Sequence, residues 1–288
     1  MFKNLLVFLL VGLFSNNYYA QDSFKYDLNK PYLKHTLPAI LNEVSGLTDY
    51  DSDHIACVQD ELGTVFIYNF RTGKMTSKHN FDGAGDFEGL TYTRKALYIL
   101  RSDGRLTEWT GFPAKGTLKH YQLPLLTANN EGLCFDEPNN RILIAAKSKP
   151  VKASDKSSRF IYAFDLTTKK LSEDPLYNLN TDHLGAKAEA FSIKNNAKTP
   201  KGKAKPFNFR PSSLAVHPVS DNIYIISAVD RLMIVINRKG DIVQMEALSQ
   251  SLFLKAEGIT FLKDGTMIIT NEAAGRVPDL LVFGMLKK

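Results

Sequence analysis

The sequence predicts an all-β fold, a five-bladed β-propeller of four-stranded blades, and three observations carry the prediction. A short motif returns as EVSGLTDY at 43, DFEGLTY at 86, NNEGLCF at 129, RPSSLAV at 210 and KAEGITF at 255. Its central positions Gly46, Gly89, Gly132, Ser213 and Gly258 are separated by 43, 43, 81 and 45 residues, and short strands recurring at about 40 to 45 residues are the signature of propeller blades. The last interval runs out one strand short, so the ring is expected to be closed by an N-terminal strand from FKYDL or YLKHTL, which also removes a free sheet edge.

Each interval divides into alternating runs bounded by turn residues. The first reads GLTDY, HIACVQ, TVFIYNF and KMTSKHNF, and the second GLTY, ALYILR, RLTEWT and TLKHYQL. The third reads GLCF, RILIAA, RFIYAFDL and KLSEDPLYNL, and the fourth SLAV, NIYIIS, LMIVINR and IVQMEAL. The fifth holds GITF, TMIITN and LLVFGML.

The 81-residue interval admits a six-bladed alternative, with AKAEAFSI at 186 as a worn copy of the motif. Only 23 residues separate Ala190 from Ser213, however, and KNNAKTPKGKAKPFNF within them shows no strand alternation. Five blades with a Lys-rich insertion at about 180–209 is the preferred reading.

Residues 1–20 read as a signal peptide: an early Lys3, an apolar run from Leu5 to Phe14, and a small residue, Ala20, where cleavage is expected. The run is short for a membrane span. An exported chain, periplasmic or extracellular, with one propeller domain over 21–288 and no transmembrane segment in the mature protein, is therefore expected. The formal charge of +6 is too small for this length to argue for nucleic acid. Cys57 and Cys134 lie inside apolar runs and read as buried free thiols.

The first strand of each blade lines the channel and the second returns beside it, so the starts of the first and the ends of the second meet on one face. That brings together Ser45, Glu88, Glu131, Ser212 and Glu257, the residues just ahead of the motif centre, one per blade. Second-strand ends and the turns after them add Gln59, Asp60, Glu61, Arg101, Asp103, Lys147, Ser227, Asp230, Asn271 and Glu272. Three carboxylates around one mouth repel unless a cation or donors stand between them. Oxygen ligands suit calcium, so Glu88, Glu131 and Glu257 are the candidate metal ligands. The alternative is structural, each Glu accepting backbone N–H bonds or pairing with Arg101 and Lys147.

The basic segments 147–159 and 194–210 read either as anion-attracting loops or as solvated ones. His79, His120, His183 and His217 lack partners at metal or triad spacing and are expected at surfaces or turns. There is no Gly-x-Ser-x-Gly elbow and no phosphate loop, so nucleophilic catalysis finds no support.

With its five motifs in this order, from about Glu43 to the C-terminus, the chain resembles the SdiA-regulated family of exported bacterial β-propellers. That family is similar in outline to thermostable phytases, the gluconolactonase group and NHL-repeat propellers. The resemblance implies a propeller outside the cytoplasm and offers no catalytic residues. Its motif carboxylates match Glu88, Glu131 and Glu257, and its acidic second-strand ends match Asp60, Glu61 and Glu272. The chain departs from the pattern at Lys147 and Lys149, at Ser212–Ser213 and in the Lys-rich insertion.

The expected function is a binding module, with calcium as candidate cofactor at the mouth and a small ligand, glycan or cell-envelope protein as partner. The alternative is a metal-dependent hydrolase of lactones or phosphoesters, with Asp60 or Asp103 as base.

Overall fold

The computed structural model describes residues 25–151, 156–193 and 207–286. The signal-peptide segment, residues 152–155 and the Lys-rich stretch at 194–206 lie outside them. Five antiparallel sheets form five blades. Blade 1 comprises Val44–Asp49, His54–Gln59, Leu62–Asn69 and Lys74–Ala84. Blade 2 comprises Phe87–Tyr92, Ala96–Arg101, Arg105–Thr110 and Thr117–Gln122. Blade 4 comprises Ser213–Val216, Ile223–Ser227, Leu232–Ile236 and Ile242–Ala247.

Blade 5 has Ala256–Phe261, Met267–Asn271 and Asp279–Phe283, and its outer strand is Leu33–Thr36 from the N-terminus, paired antiparallel to Asp279–Phe283. The expected closure by both chain ends is thus present. Packing of Tyr26 and Leu28 into the apolar cluster between blades 4 and 5 extends the clasp.

Blade 3 departs from the simple reading. Its strands Asn130–Asp136, Arg141–Ala146 and Ser158–Asp165 are followed by an outer strand in two pieces, Lys170–Leu171 and Tyr177–Asn180. Both pieces pair with Ser158–Asp165, with the Pro-containing stretch between them bulged out. The segment proposed as a worn motif falls largely in a helix, Thr181–Ala190, capped by Asn180, whose side chain accepts from the Asp182 N–H at 2.9 Å. Leu184 and Ala188, one turn apart, pack it against the cluster between blades 3 and 4. The six-bladed alternative falls. No helix among the described residues is long and apolar enough to cross a membrane.

The first strands touch in the cyclic order 1-2-3-4-5-1, and the motif glycines explain how closely. A Cβ on Gly46 would stand 2.6 Å from the Leu90 nitrogen, one on Gly89 2.6 Å from Leu133 Cβ, and one on Gly132 2.6 Å from Leu214 Cδ2. On Gly258 it would stand 2.5 Å from Leu47 Cδ2. Each glycine therefore meets the next blade, and the last one meets the first. In blade 4, Ser213 makes the same meeting through its hydroxyl, which accepts the Ile259 N–H at 3.3 Å.

Candidate functional site

Pairing between first and second strands slips at the motif in blades 1, 2, 3 and 5, and runs without a break in blade 4. In blade 2, Phe87 faces Arg101 and Gly89 faces Leu100, which leaves Glu88 without an opposite residue. The same slip isolates Glu131 and Glu257. A bulge re-aims the extra side chain and raises local twist. It is what turns three carboxylates out of an otherwise apolar strand at one end of the channel.

Glu131 is 2% exposed and Glu257 4%. Lys147 Nζ stands 2.6 Å from Glu131 Oε1, which also accepts from Asn129 Nδ2 at 3.2 Å. Ser45 Oγ donates to Glu88 Oε2 at 2.7 Å. Burial, with Glu88 and Glu257 nearby, pushes the Glu131 carboxyl up to about 8 against the pull of Lys147. Burial also pushes Glu88 up to about 7, and raises Glu257. For Lys147, burial works against the charge but Glu257, Glu131 and Glu88 outweigh it, so its ammonium is held more firmly than usual. Neither Glu131 Oε2 nor Glu257 Oε1 has a hydrogen-bond donor among the described residues, and a buried carboxylate oxygen without a donor is costly.

A second group adjoins the first across blades 5 and 1. Lys255 Nζ bonds Glu272 and stands 3.6 Å from Glu257 Oε1. Glu43 shares a hydrogen bond with Glu272, which with burial lifts it to about 7. Burial, followed by Glu272, Glu61 and Asp86, raises Asp60, whose Oδ1 has no donor among the described residues. Eight carboxyls (Glu43, Asp60, Glu61, Asp86, Glu88, Glu131, Glu257 and Glu272) thus interact around two ammoniums, Lys147 and Lys255.

Of the expected site residues, Ser45, Glu88, Glu131, Lys147 and Glu257 come together, with Asp60 and Glu272 beside them. Arg101 pairs with Asp103 instead of a motif carboxylate, and that bond holds the Asp103 carboxyl below its usual range. Ser212 Oγ donates to the Ala256 carbonyl at 2.8 Å and seals blade 4 to blade 5. Asn271 Nδ2 donates to Leu252 O and Asp279 Oδ1. Glu61 is exposed, its N–H bonded to Gln59 Oε1. Ser227 accepts the Arg210 N–H at 3.1 Å, and Asp230, raised by burial, lies near Arg210 and Arg159.

Sequence reasoning missed Glu43 and Lys255. A strand repeats its face every two residues, so the positions two before Ser45, Glu88, Glu131, Ser212 and Glu257 form a second ring: Glu43, Asp86, Asn129, Arg210 and Lys255. That signal was present.

The other end of the channel holds a cavity of about 210 Å³ lined by Thr48, Thr91, Cys134, Ala215 and Thr260, two residues past the motif centres. Two of its three threonine hydroxyls are engaged between blades: Thr260 Oγ1 accepts the Asp49 N–H at 3.1 Å and Thr48 Oγ1 the Tyr92 N–H at 3.2 Å, each from the next blade. Arg94 pairs with Asp49 there. The acidic end is the better candidate, because it has the carboxylate oxygens left without donors.

One of the histidines expected at surfaces or turns enters the core from its turn. His217 lies in a turn but is fully buried. Its Nδ1 accepts from the N–H groups of Val219 and Ser220, and its Nε2 stands 2.7 Å from Tyr26 Oη, which donates to the Gly265 carbonyl at 2.6 Å. Those partners require the neutral ring with its proton on Nε2. Cys57 and Cys134 are free and buried.

The sequence pattern of the SdiA-regulated family matches residues 17–274. No curated protein matches the chain in sequence. Among solved structures, glutaminyl cyclase from Myxococcus xanthus is similar at a TM-score of 0.58 and 13% identity, over 90% of this chain and 97% of that one. Virginiamycin B lyase from Staphylococcus aureus is similar at a TM-score of 0.45 and 15% identity, over 84% and 67%. At these identities the first likeness is one of fold.

Proposed function

Because the chain belongs to the SdiA-regulated family, whose pattern runs from ahead of the first blade into the fifth, we propose that it is an exported binding module that receives a protonated amine at the acidic mouth of its channel. One observation carries this reading. Glu131 and Glu257, from different blades, each bring a buried carboxylate oxygen without a hydrogen-bond donor among the described residues, Glu257 Oε1 having only the Lys255 ammonium at 3.6 Å, inside a cluster of eight carboxyls and two ammoniums. An ammonium supplies three donors and a charge of the required sign.

Calcium fits this set less well. It asks for about six to eight oxygens converging on one point, whereas the described residues contain no group of three His, Cys, Asp or Glu arranged to hold an ion. Lys147 already stands among the three motif glutamates. No step is therefore derived through a metal.

A second reading, acid–base chemistry, is favoured by Glu88. Burial places it at about 7, where a carboxyl can both give and take a proton near neutrality. In that reading Asp60, raised by burial, is the better base than Asp103, which Arg101 holds ionised.

Calorimetric titration of the mature chain with ethanolamine, lysine amide and calcium tests the proposal. Binding of an amine, weakened at least tenfold in Glu131→Gln and Glu257→Gln with the fold intact, is expected. Calcium binding lost in the same variants would replace the amine reading with the metal one, and absence of both would remove the mouth as a site.

A further inference from the structure

Strand order fixes which loops share a face with the acidic mouth: those joining second to third strands, and those leading from each outer strand into the next blade. Among the described residues, exposed large apolar side chains occur on this face in blades 1, 3, 4 and 5 or their approaches. They are Ile40, Leu62, Leu126, Val151, Val229 and Val277, from 38% exposed at Leu62 to 68% at Val151. Leu126 and Val151 are tied together, the Val151 N–H donating to the Leu126 carbonyl at 2.9 Å. Ile40 and Val277 sit on loops that are also joined, through the Leu37 N–H to the Pro278 carbonyl at 2.8 Å and the Ala273 N–H to the Asn42 carbonyl at 2.8 Å. Isolated exposed valines and leucines are ordinary. A set drawn from four of the five sectors around one charged opening is a pattern with a centre.

We infer that this face docks a polypeptide that presents a lysine side chain or N-terminal amine to the mouth and apolar side chains to the surrounding loops. The inference rests on the amine reading above and names its carrier. Charge selects the central group, since eight carboxyls face two ammoniums there. Breadth selects the class. A small amine offers nothing to apolar side chains on loops of separate blades, whereas a protein partner of ordinary size covers about 800 Å² of one face. The arrangement, an anchoring charged group in a desolvated centre ringed by apolar contacts, is that of an interface hot spot.

The test uses nine-residue peptides with a fixed central lysine and randomised apolar or polar flanks, the same set with acetyl-lysine, and free lysine amide. Each is titrated against the mature chain and against a Val229→Asp/Leu126→Asp variant whose folding is checked by circular dichroism. Both substituted residues are exposed and stand outside the acidic cluster. The inference expects apolar-flanked lysine peptides to bind at least tenfold tighter than lysine amide, acetylation to abolish binding, and the surface variant to reduce the peptides to the affinity of lysine amide while leaving lysine amide itself unchanged. Peptides no tighter than lysine amide, or a surface variant without effect on them, would overturn the docking inference and leave the amine site standing. Failure of lysine amide and peptides alike would overturn both. If dodecylamine matched the best peptides and lost the same affinity in the variant, the carrier would be an amphiphile and the polypeptide reading would fall.

Discussion

Lys147 and Glu131 form the buried ion pair on which the mouth depends. Lys147→Met would leave Glu131 with no cation in contact, so Glu131 carries its proton to still higher pH; breaking one side of such a pair costs about 3 kcal/mol once the carboxylate is charged, and urea denaturation is expected to show that loss above pH 8 and much less of it at pH 6, where the carboxyl holds its proton in both forms. The proton balance gives a second prediction. Glu88 and Glu131 rise from 4.5 to about 7 and about 8 on folding, so their contribution to stability is complete below 4.5 and is lost as pH rises through 7 and 8. His217 falls from 6.5 to about 4 on burial, so its contribution is present above 6.5 and is lost as pH falls toward 4. The two oppose each other between 4.5 and 6.5, and above 6.5 the glutamates act alone. Denaturation midpoints should therefore decline from pH 6.5 to 8.5, and decline less steeply in Glu88→Gln/Glu131→Gln, where Glu43 and Glu257 are the raised glutamates that remain. The glutamates were legible in the sequence because a repeated acid ahead of a buried alternation has few other places to go. His217 was not, since its partner Tyr26 is 191 residues away.

At the scale of the strand, the bulge and the glycine act as one device: the slip aims the acid and the missing Cβ lets the next blade approach. Gly89→Ala would set a Cβ 2.6 Å from Leu133 Cβ and 2.7 Å from the Glu131 carbonyl oxygen. Overpacking of this kind costs about 1–3 kcal/mol, at roughly 2–4 °C of Tm per kcal/mol for a chain of this size. Displacement of Glu131 should weaken amine binding as well. Gly83→Ala, with nothing within 4 Å of the added atom, is the control, expected to leave Tm and binding unchanged in calorimetry. The strands themselves could be read from their alternation. The helix Thr181–Ala190 could not, because Leu184 and Ala188 are its only buried residues, a single i, i+4 step from which no periodicity can be recognised.

The whole ring is held by a clasp of remote parts: Leu33–Thr36 on the last blade, and Tyr26 hydrogen-bonded to His217 of blade 4 and the Gly265 carbonyl of blade 5. A chain starting at residue 38 would expose the Asp279–Phe283 edge and the apolar surface that Tyr26 and Leu28 cover. Size-exclusion chromatography should show oligomers or aggregate instead of monomer, where an intact monomer would show that the ring closes without the strand. Blade number was legible because the 43-residue spacing repeats before the insertion begins. The clasp was foreseeable only as a missing strand, since a one-dimensional pattern records what an interval lacks and not what fills it. One feature of the mouth acts on the molecule as a whole. Around the axis the residues just ahead of the motif centres run Ser45, Glu88, Glu131, Ser212, Glu257, and no turn by one, two, three or four blades maps that order onto itself. A scaffold of five near-equivalent sectors, which on its own would offer a guest five indistinguishable poses, is thereby keyed to one, and whatever enters the channel does so with a defined azimuth.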